Sequence, residues 1–151
     1  MHRVYVAEQS MKILLAVDGS AHSRKATAAL IKNIALYKDA PEVVLLNVYY
    51  PVPKVNFGPL VSRDLVVRYY REQGEGSLTE SKRLLDKAGI RYQAKVLAGP
   101  ITQTIIKQSR VHRCDLIFMG TRGMGSLGGV LLGSTATKVV HLATVPVILV
   151  K

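Results

Sequence analysis

Between Gly120 and Ser134 the chain reads Gly-Thr-Arg-Gly, nine further residues, then Gly-Ser-Thr. Glycines so spaced let a backbone come close to a ligand and adopt positive φ. A helix starting at Ser134 would offer N–H groups that have no intrahelical acceptor. Loop and helix start together make an anion site, for phosphate above all. Ser134 and Thr135 add hydroxyl donors where phosphate oxygens would lie. Arg122, inside the first glycine pair, has two readings: charge-assisted bonds to a phosphate, or a solvated loop arginine.

Two better-known phosphate patterns stand incomplete in the same stretch. Gly123-Met-Gly125-Ser-Leu-Gly128 has the dinucleotide fingerprint, yet no Asp or Glu follows Asp115 to hold a ribose hydroxyl. The glycines at Gly128 and Gly133 have P-loop spacing, but Ser134 stands where the phosphate-binding lysine belongs. The chain therefore departs from both a dinucleotide enzyme and a standard P-loop NTPase.

The elements that must hold this loop follow from hydrophobic pattern. Lys12–Val17 is a short apolar strand closed by Asp-Gly-Ser, and Ser20 caps a helix with Ala26, Ala29, Leu30, Ile34 and Tyr37 on one face. Lys38-Asp-Ala-Pro41 ends that helix. Val43–Tyr49 is continuously apolar, as a strand buried on both faces is. Residues 50–60 hold Pro51, Pro53, Gly58 and Pro59 and read as a loop. A helical stretch from Val61 to Ala88 is expected to break at Gly74-Glu-Gly76. Arg91–Leu97 alternates like an edge strand, and Gly99-Pro100 opens a helix with Ile101, Ile105 and Ile106 inward. The strand Leu116–Met119, the glycine loop, a helix Ser134–Ala143 and the strand Val147–Val150 complete the chain. Strands alternating with helices give an α/β fold, a single-domain open doubly wound parallel sheet with helices on both faces. Its ligand crevice opens at the carboxyl ends of the strands.

Three blocks occur in order: Lys12-Ile-Leu-Leu-Ala-Val-Asp-Gly-Ser20, the motif G-x2-G-x9-G-[ST] at Gly120, Gly123, Gly133 and Ser134, and Val145-Pro-Val-Ile-Leu-Val150. On them the chain from Met11 to Lys151 resembles the ATP-binding branch of the universal stress protein family. The resemblance implies five strands in the order 3-2-1-4-5, so that Asp18 and the Gly120 loop meet at one crevice. It implies ATP as ligand, with Mg²⁺ brought by the phosphates. Asp18 would lie beside the adenosine, for a ribose or metal-linked contact. Val48 would recognise adenine through its backbone, with Ala16 and Val17 in the base pocket. Met119 and Gly120 would line the nucleotide, Gly120 letting ribose or phosphate approach. Gly123 belongs to the motif, and Gly133, Ser134, Thr135 and Ala136 would present N–H groups and hydroxyls to the phosphates. Plainer readings stand beside two of these: Asp18 as a turn aspartate bonded to its own backbone, and Val48 as core packing.

The resemblance further implies a stress-response regulator in which the nucleotide is a conformational or dimer-surface signal, and a homodimer formed through antiparallel pairing of Val145–Val150. A slow Mg-dependent ATPase is the alternative, with Asp18 the sole acid that the motifs place in the crevice and no catalytic residue assigned. A binder of nucleic acid or anionic surfaces is the other, since the net charge is +11 and the pI about 10.0. The basic residues Arg63, Arg68, Arg71, Lys82, Arg83, Lys87, Arg91 and Lys95 are scattered, however, and no nucleic-acid motif accompanies them.

At 151 residues the chain fits one domain, read as an extension over 1–10 and a nucleotide-binding domain over 11–151. The single cysteine, Cys114, opens an apolar run and reads as a buried structural thiol. His2, His22, His112 and His141 do not cluster, and no ligand spacing suggests a metal site. Tyr49-Tyr50 and Tyr69-Tyr70 read as packing or pocket-rim residues. With no signal peptide and no apolar run near ~18 residues, a cytoplasmic protein without membrane insertion is expected.

Overall fold

Continuous apolar runs become the centre of a sheet because each strand there must bury both faces. The computed structural model describes residues 10–51, 59–123 and 132–151. Its strands are β1 (Lys12–Ala16), β2 (Glu42–Tyr49), β3 (Tyr92–Ala98), β4 (Leu116–Gly120) and β5 (Val147–Val150). All pair in parallel in the order β3-β2-β1-β4-β5. Ile13 stands opposite Val43 on one side and Leu116 on the other, which fixes the register of the three central strands.

The four helices are α1 (Ala21–Ile34), α2 (Arg63–Lys87), α3 (Ile101–Val111) and α4 (Ser134–Leu142). Alternation along each strand assigns them to faces. Ile13, Leu15, Val43, Leu45, Leu116 and Phe118 pack with Ala26 and Leu30 of α1 and Leu78 and Leu85 of α2. Leu14, Ala16, Val44, Leu46, Ile117 and Met119 pack with Ile105 and Ile106 of α3 and Ala136 and Val139 of α4. The doubly wound sheet of the expected order is thus realised.

Four local expectations are corrected. α1 ends at Ile34 with Ala35 as its cap, so Tyr37 lies beyond the helix and is exposed. α2 runs unbroken through Gly74-Glu-Gly76. Gly74 is buried, and a β-carbon there would collide with Val96 Cγ1 and lie 2.9 Å from Asn47 Oδ1. That glycine therefore brings the helix close to the sheet rather than breaking it. Ile101, the first residue of α3, is 36% exposed, whereas Ile105 and Ile106 are buried. The paired strand β5 is Val147–Val150, shorter than Val145–Val150. Pro146 has no N–H to pair and contributes its carbonyl, which accepts from the Ile117 N–H at 2.9 Å.

Cys114 precedes β4 and is buried, and that burial, with the Asp115 charge adding to it, pushes its thiol up to about 11. Of the expected extension only Ser10 is described; residues 1–9, most of the 50–60 loop, and Gly125 and Gly128 lie outside the described residues.

Candidate functional site

β1 and β4 are neighbours, but β1 leads into a helix on one face and β4 into a helix on the other. The diverging connections open a crevice at the carboxyl ends of the two strands. It is a cleft of about 460 Å³, within the ~300–1,000 Å³ of small-molecule sites. Its apolar wall is Ala16, Leu46, Val48, Ile101, Ile105, Met119 and Ala136, and its polar wall is Asp18, Ser23, Thr121, Arg122, Ser134 and Thr135. Val17, Gly120, Gly123 and Gly133 complete the lining. Every residue expected around a nucleotide lines this one cleft.

The end of β1 is tied to β2 through both backbone groups of Val17. The Val17 N–H donates to the Leu46 carbonyl, and Asn47 Nδ2 donates to the Val17 carbonyl, both at 2.9 Å. Asp18 then turns the chain: its Oδ1 accepts from the Ser20 N–H at 3.0 Å and from the Ser23 hydroxyl at 2.7 Å. Ser23 Oγ accepts in return from the Asp18 N–H at 2.9 Å. Asp18 is therefore a turn aspartate and a cleft residue at once. Gly19 follows at φ 83°, a conformation that favours glycine.

The glycines that end and follow β4 have protein neighbours close by. A β-carbon at Gly120 would lie 2.8 Å from His22 Cβ and 3.0 Å from its carbonyl carbon. The close approach of α1 by itself demands glycine there. A β-carbon at Gly123 would run into Asp18 Oδ2. Thr121, buried between these glycines, donates its N–H to the Val150 carbonyl at 2.9 Å and accepts from the Gly133 N–H at 2.7 Å. One peptide segment thus joins the edge strand β5, the cleft and the start of α4.

That last bond corrects one expectation: the Gly133 N–H is already used. Gly133 is the N-cap residue, in extended conformation and with no side chain to accept from the helix. Its carbonyl accepts from the Thr137 N–H at 3.0 Å, the first bond of the helical ladder. The N–H groups of Ser134, Thr135 and Ala136 precede that bond and have no intrahelical acceptor. They carry the positive end of the α4 dipole to the cleft. Beside them, Arg122 has its Nε buried without a hydrogen-bond partner.

Ser23, Leu46, Ile101, Ile105 and Thr121 also line the cleft, unforeseen from sequence. Ile101 and Ile105 share a helical face and read as core; Ser23 lies one turn past the cap Ser20, a spacing that signals capping rather than a site. Tyr49 stacks on Tyr70 with centroids 5.7 Å apart, and Tyr69 meets Tyr70 edge-on, all outside this cleft. Among the described residues no three His, Cys, Asp or Glu side chains are grouped to hold a metal ion, and no helix is long and apolar enough to cross a membrane.

Residues 10–151 match the sequence profile of the universal stress protein family. A universal stress protein of Thermus aquaticus is 37% identical over 140 residues, covering 92% of this chain and 97% of its own. The structure of the hypothetical protein MJ0577 superposes with a TM-score of 0.79 at 25% identity, over 93% of this chain and 94% of that one. A universal stress protein of Archaeoglobus fulgidus, solved in complex with dAMP, has a TM-score of 0.65 at 19% identity, over 93% and 98% of the two chains. Profile, relatives and sheet order agree: the chain belongs to the universal stress protein family.

Proposed function

We propose that this chain binds ATP, with Mg²⁺ carried by the phosphates, and uses the nucleotide as a conformational or dimer-surface signal. One observation carries the reading: the uncapped start of α4 opens into the same cleft whose other wall is apolar. A flat base fits the apolar wall, and an anion fits the free N–H groups. Ala16, Val17, Val48 and Met119 would surround adenine and Asp18 would stand beside the ribose. Gly120, Gly123, Ser134, Thr135 and Ala136 would follow the phosphates. Gly133 contributes by leaving the helix start uncovered.

The dAMP complex of the Archaeoglobus fulgidus protein is in keeping with an adenine ligand. That likeness carries the fold alone, and it is the cleft that supports an adenine nucleotide. For a signal, the Thr121 links are the route: a ligand that moves the start of α4 pulls on the carbonyl of Thr121, whose N–H holds Val150 of the edge strand. A ligand shifts such an equilibrium only by binding its two states unequally. A binding module suits the lining better than a hydrolase, because Asp18 is the sole carboxylate among the described cleft residues.

Calorimetry with Mg-ATP tests the reading on the wild type and on Gly133→Val. Valine adopts the φ of −70° and ψ of 159° found at Gly133 without strain, so the variant keeps its fold while its isopropyl group crowds the helix start. Binding by the wild type and loss in the variant are expected. No heat from folded wild type would reject a nucleotide site and turn attention to the basic surface.

A further inference from the structure

Arg122 occupies a variable position of the glycine motif, and nothing in the motif requires a cation there. In this chain it is the sole cationic side chain among the described cleft residues. Its Nε is buried and makes no hydrogen bond, an arrangement that proteins rarely leave uncompensated. No described acid forms an ion pair with it. The preceding residue, Thr121, is held to the Gly133 N–H, so Arg122 is anchored beside the start of α4 and does not trail in solvent. A guanidinium with its Nε unpartnered and an uncapped helix start therefore line one cleft.

The two devices differ in what they reward. Three N–H groups at a helix start satisfy the oxygens of one phosphate, and their partial charge is about half an elementary charge. A guanidinium carries a full charge and a rigid fork of donors, and its attraction grows with the charge of the ligand. The apolar wall has no means of counting phosphates at all.

Resting on the proposal that an adenine nucleotide occupies the cleft, we infer that Arg122 is the specificity residue that makes it prefer nucleoside polyphosphates over the monophosphate. Adenosine engages the apolar wall, and AMP adds one phosphate at the start of α4. The longer, more highly charged phosphate chain of ADP or ATP supplies the acceptor that the Arg122 Nε lacks.

The test is calorimetric titration of adenosine, AMP and Mg-ATP into the wild type, Arg122→Gln and Arg122→Lys. In the wild type ATP binds more tightly than AMP. Arg122→Gln weakens ATP by about ten- to a hundredfold, the range of one charge-assisted hydrogen bond, and leaves adenosine unchanged. Arg122→Lys restores part of the loss, since charge returns without the fork. Equal weakening of all three ligands would overturn the inference, because Arg122 would then only shape the loop. Unchanged ATP-to-AMP preference in Arg122→Gln would overturn it as well. Wild type that binds none of the three fails at the earlier step, the nucleotide reading itself, and the inference falls with it.

Discussion

Two glycines of α2, separated by Glu75, show how the effect of a single β-carbon changes sign with its surroundings. Gly74 faces Val96 and the Asn47 amide oxygen, with no room for a methyl group; at Gly76 an added β-carbon meets nothing within 4 Å. Gly76→Ala gains helix propensity alone and stabilises the protein by about 0.5–1 kcal/mol. Gly74→Ala gains the same propensity but forces the helix off the sheet, an overpacking cost of about 1–3 kcal/mol. Urea denaturation is therefore expected to raise the midpoint for Gly76→Ala and lower it for Gly74→Ala. A rise in both would mean that the helix–sheet contact yields freely. Asn47 makes the contact matter for the cleft, because its Nδ2 holds the carbonyl of Val17 on the cleft wall. Neighbours of this kind were hidden in the sequence. Gly74 reads there as a helix breaker, and the room that Gly120 leaves for His22 goes unseen, because the partner that needs the space is distant along the chain.

At the scale of elements, α4 begins with a residue that leaves its first turn uncovered. An aspartate at the N-cap would accept from those N–H groups and, against glycine, stabilise the helix by a few tenths of a kcal/mol or about that. It would also put a negative charge where the phosphates are proposed to sit. Gly133→Asp should accordingly keep or slightly raise the unfolding midpoint and abolish Mg-ATP binding. Binding retained beside a raised midpoint would show that the helix start faces no ligand. The elements themselves are readable in the sequence, since continuous runs such as Val43–Tyr49 and Leu116–Met119 suit strands buried on two faces. Strand order came with the motif blocks of the resemblance, not from periodicity. Boundaries were less legible: Tyr37 continues the apolar spacing of α1 past its real end, and Val145 precedes a proline that has no N–H to give the ladder. The use of the Gly133 N–H by Thr121 could not be foreseen, because a backbone bond across the loop leaves no trace in residue type.

The whole molecule sets two forces against each other at β5. Pro146 and Val150 turn their carbonyls toward β4, and the N–H and C=O of one strand residue point the same way. The alternate residues Val147 and Leu149 therefore turn theirs away from β4, along an edge where no described strand pairs. An edge so open invites a second strand, which motivates the proposed antiparallel homodimer. Each copy, however, carries a formal charge of +11, and like charges repel until salt screens them, over about 10 Å at 0.1 M. Self-association should then tighten as salt rises from about 50 to 300 mM, whereas binding of a polyphosphate to the same protein weakens, because one pairing is like-charged and the other opposite. Leu149→Pro isolates the edge: it removes an outward N–H and spares the ladder to β4, a placement proline tolerates on an edge strand. Sedimentation is expected to find the wild type dimeric at micromolar concentration and Leu149→Pro monomeric, with an unchanged circular-dichroism spectrum. A variant that remains dimeric would move the interface off β5. The Thr121 link to Val150 would then lose its reader at that edge, and the proposed nucleotide signal would need another surface.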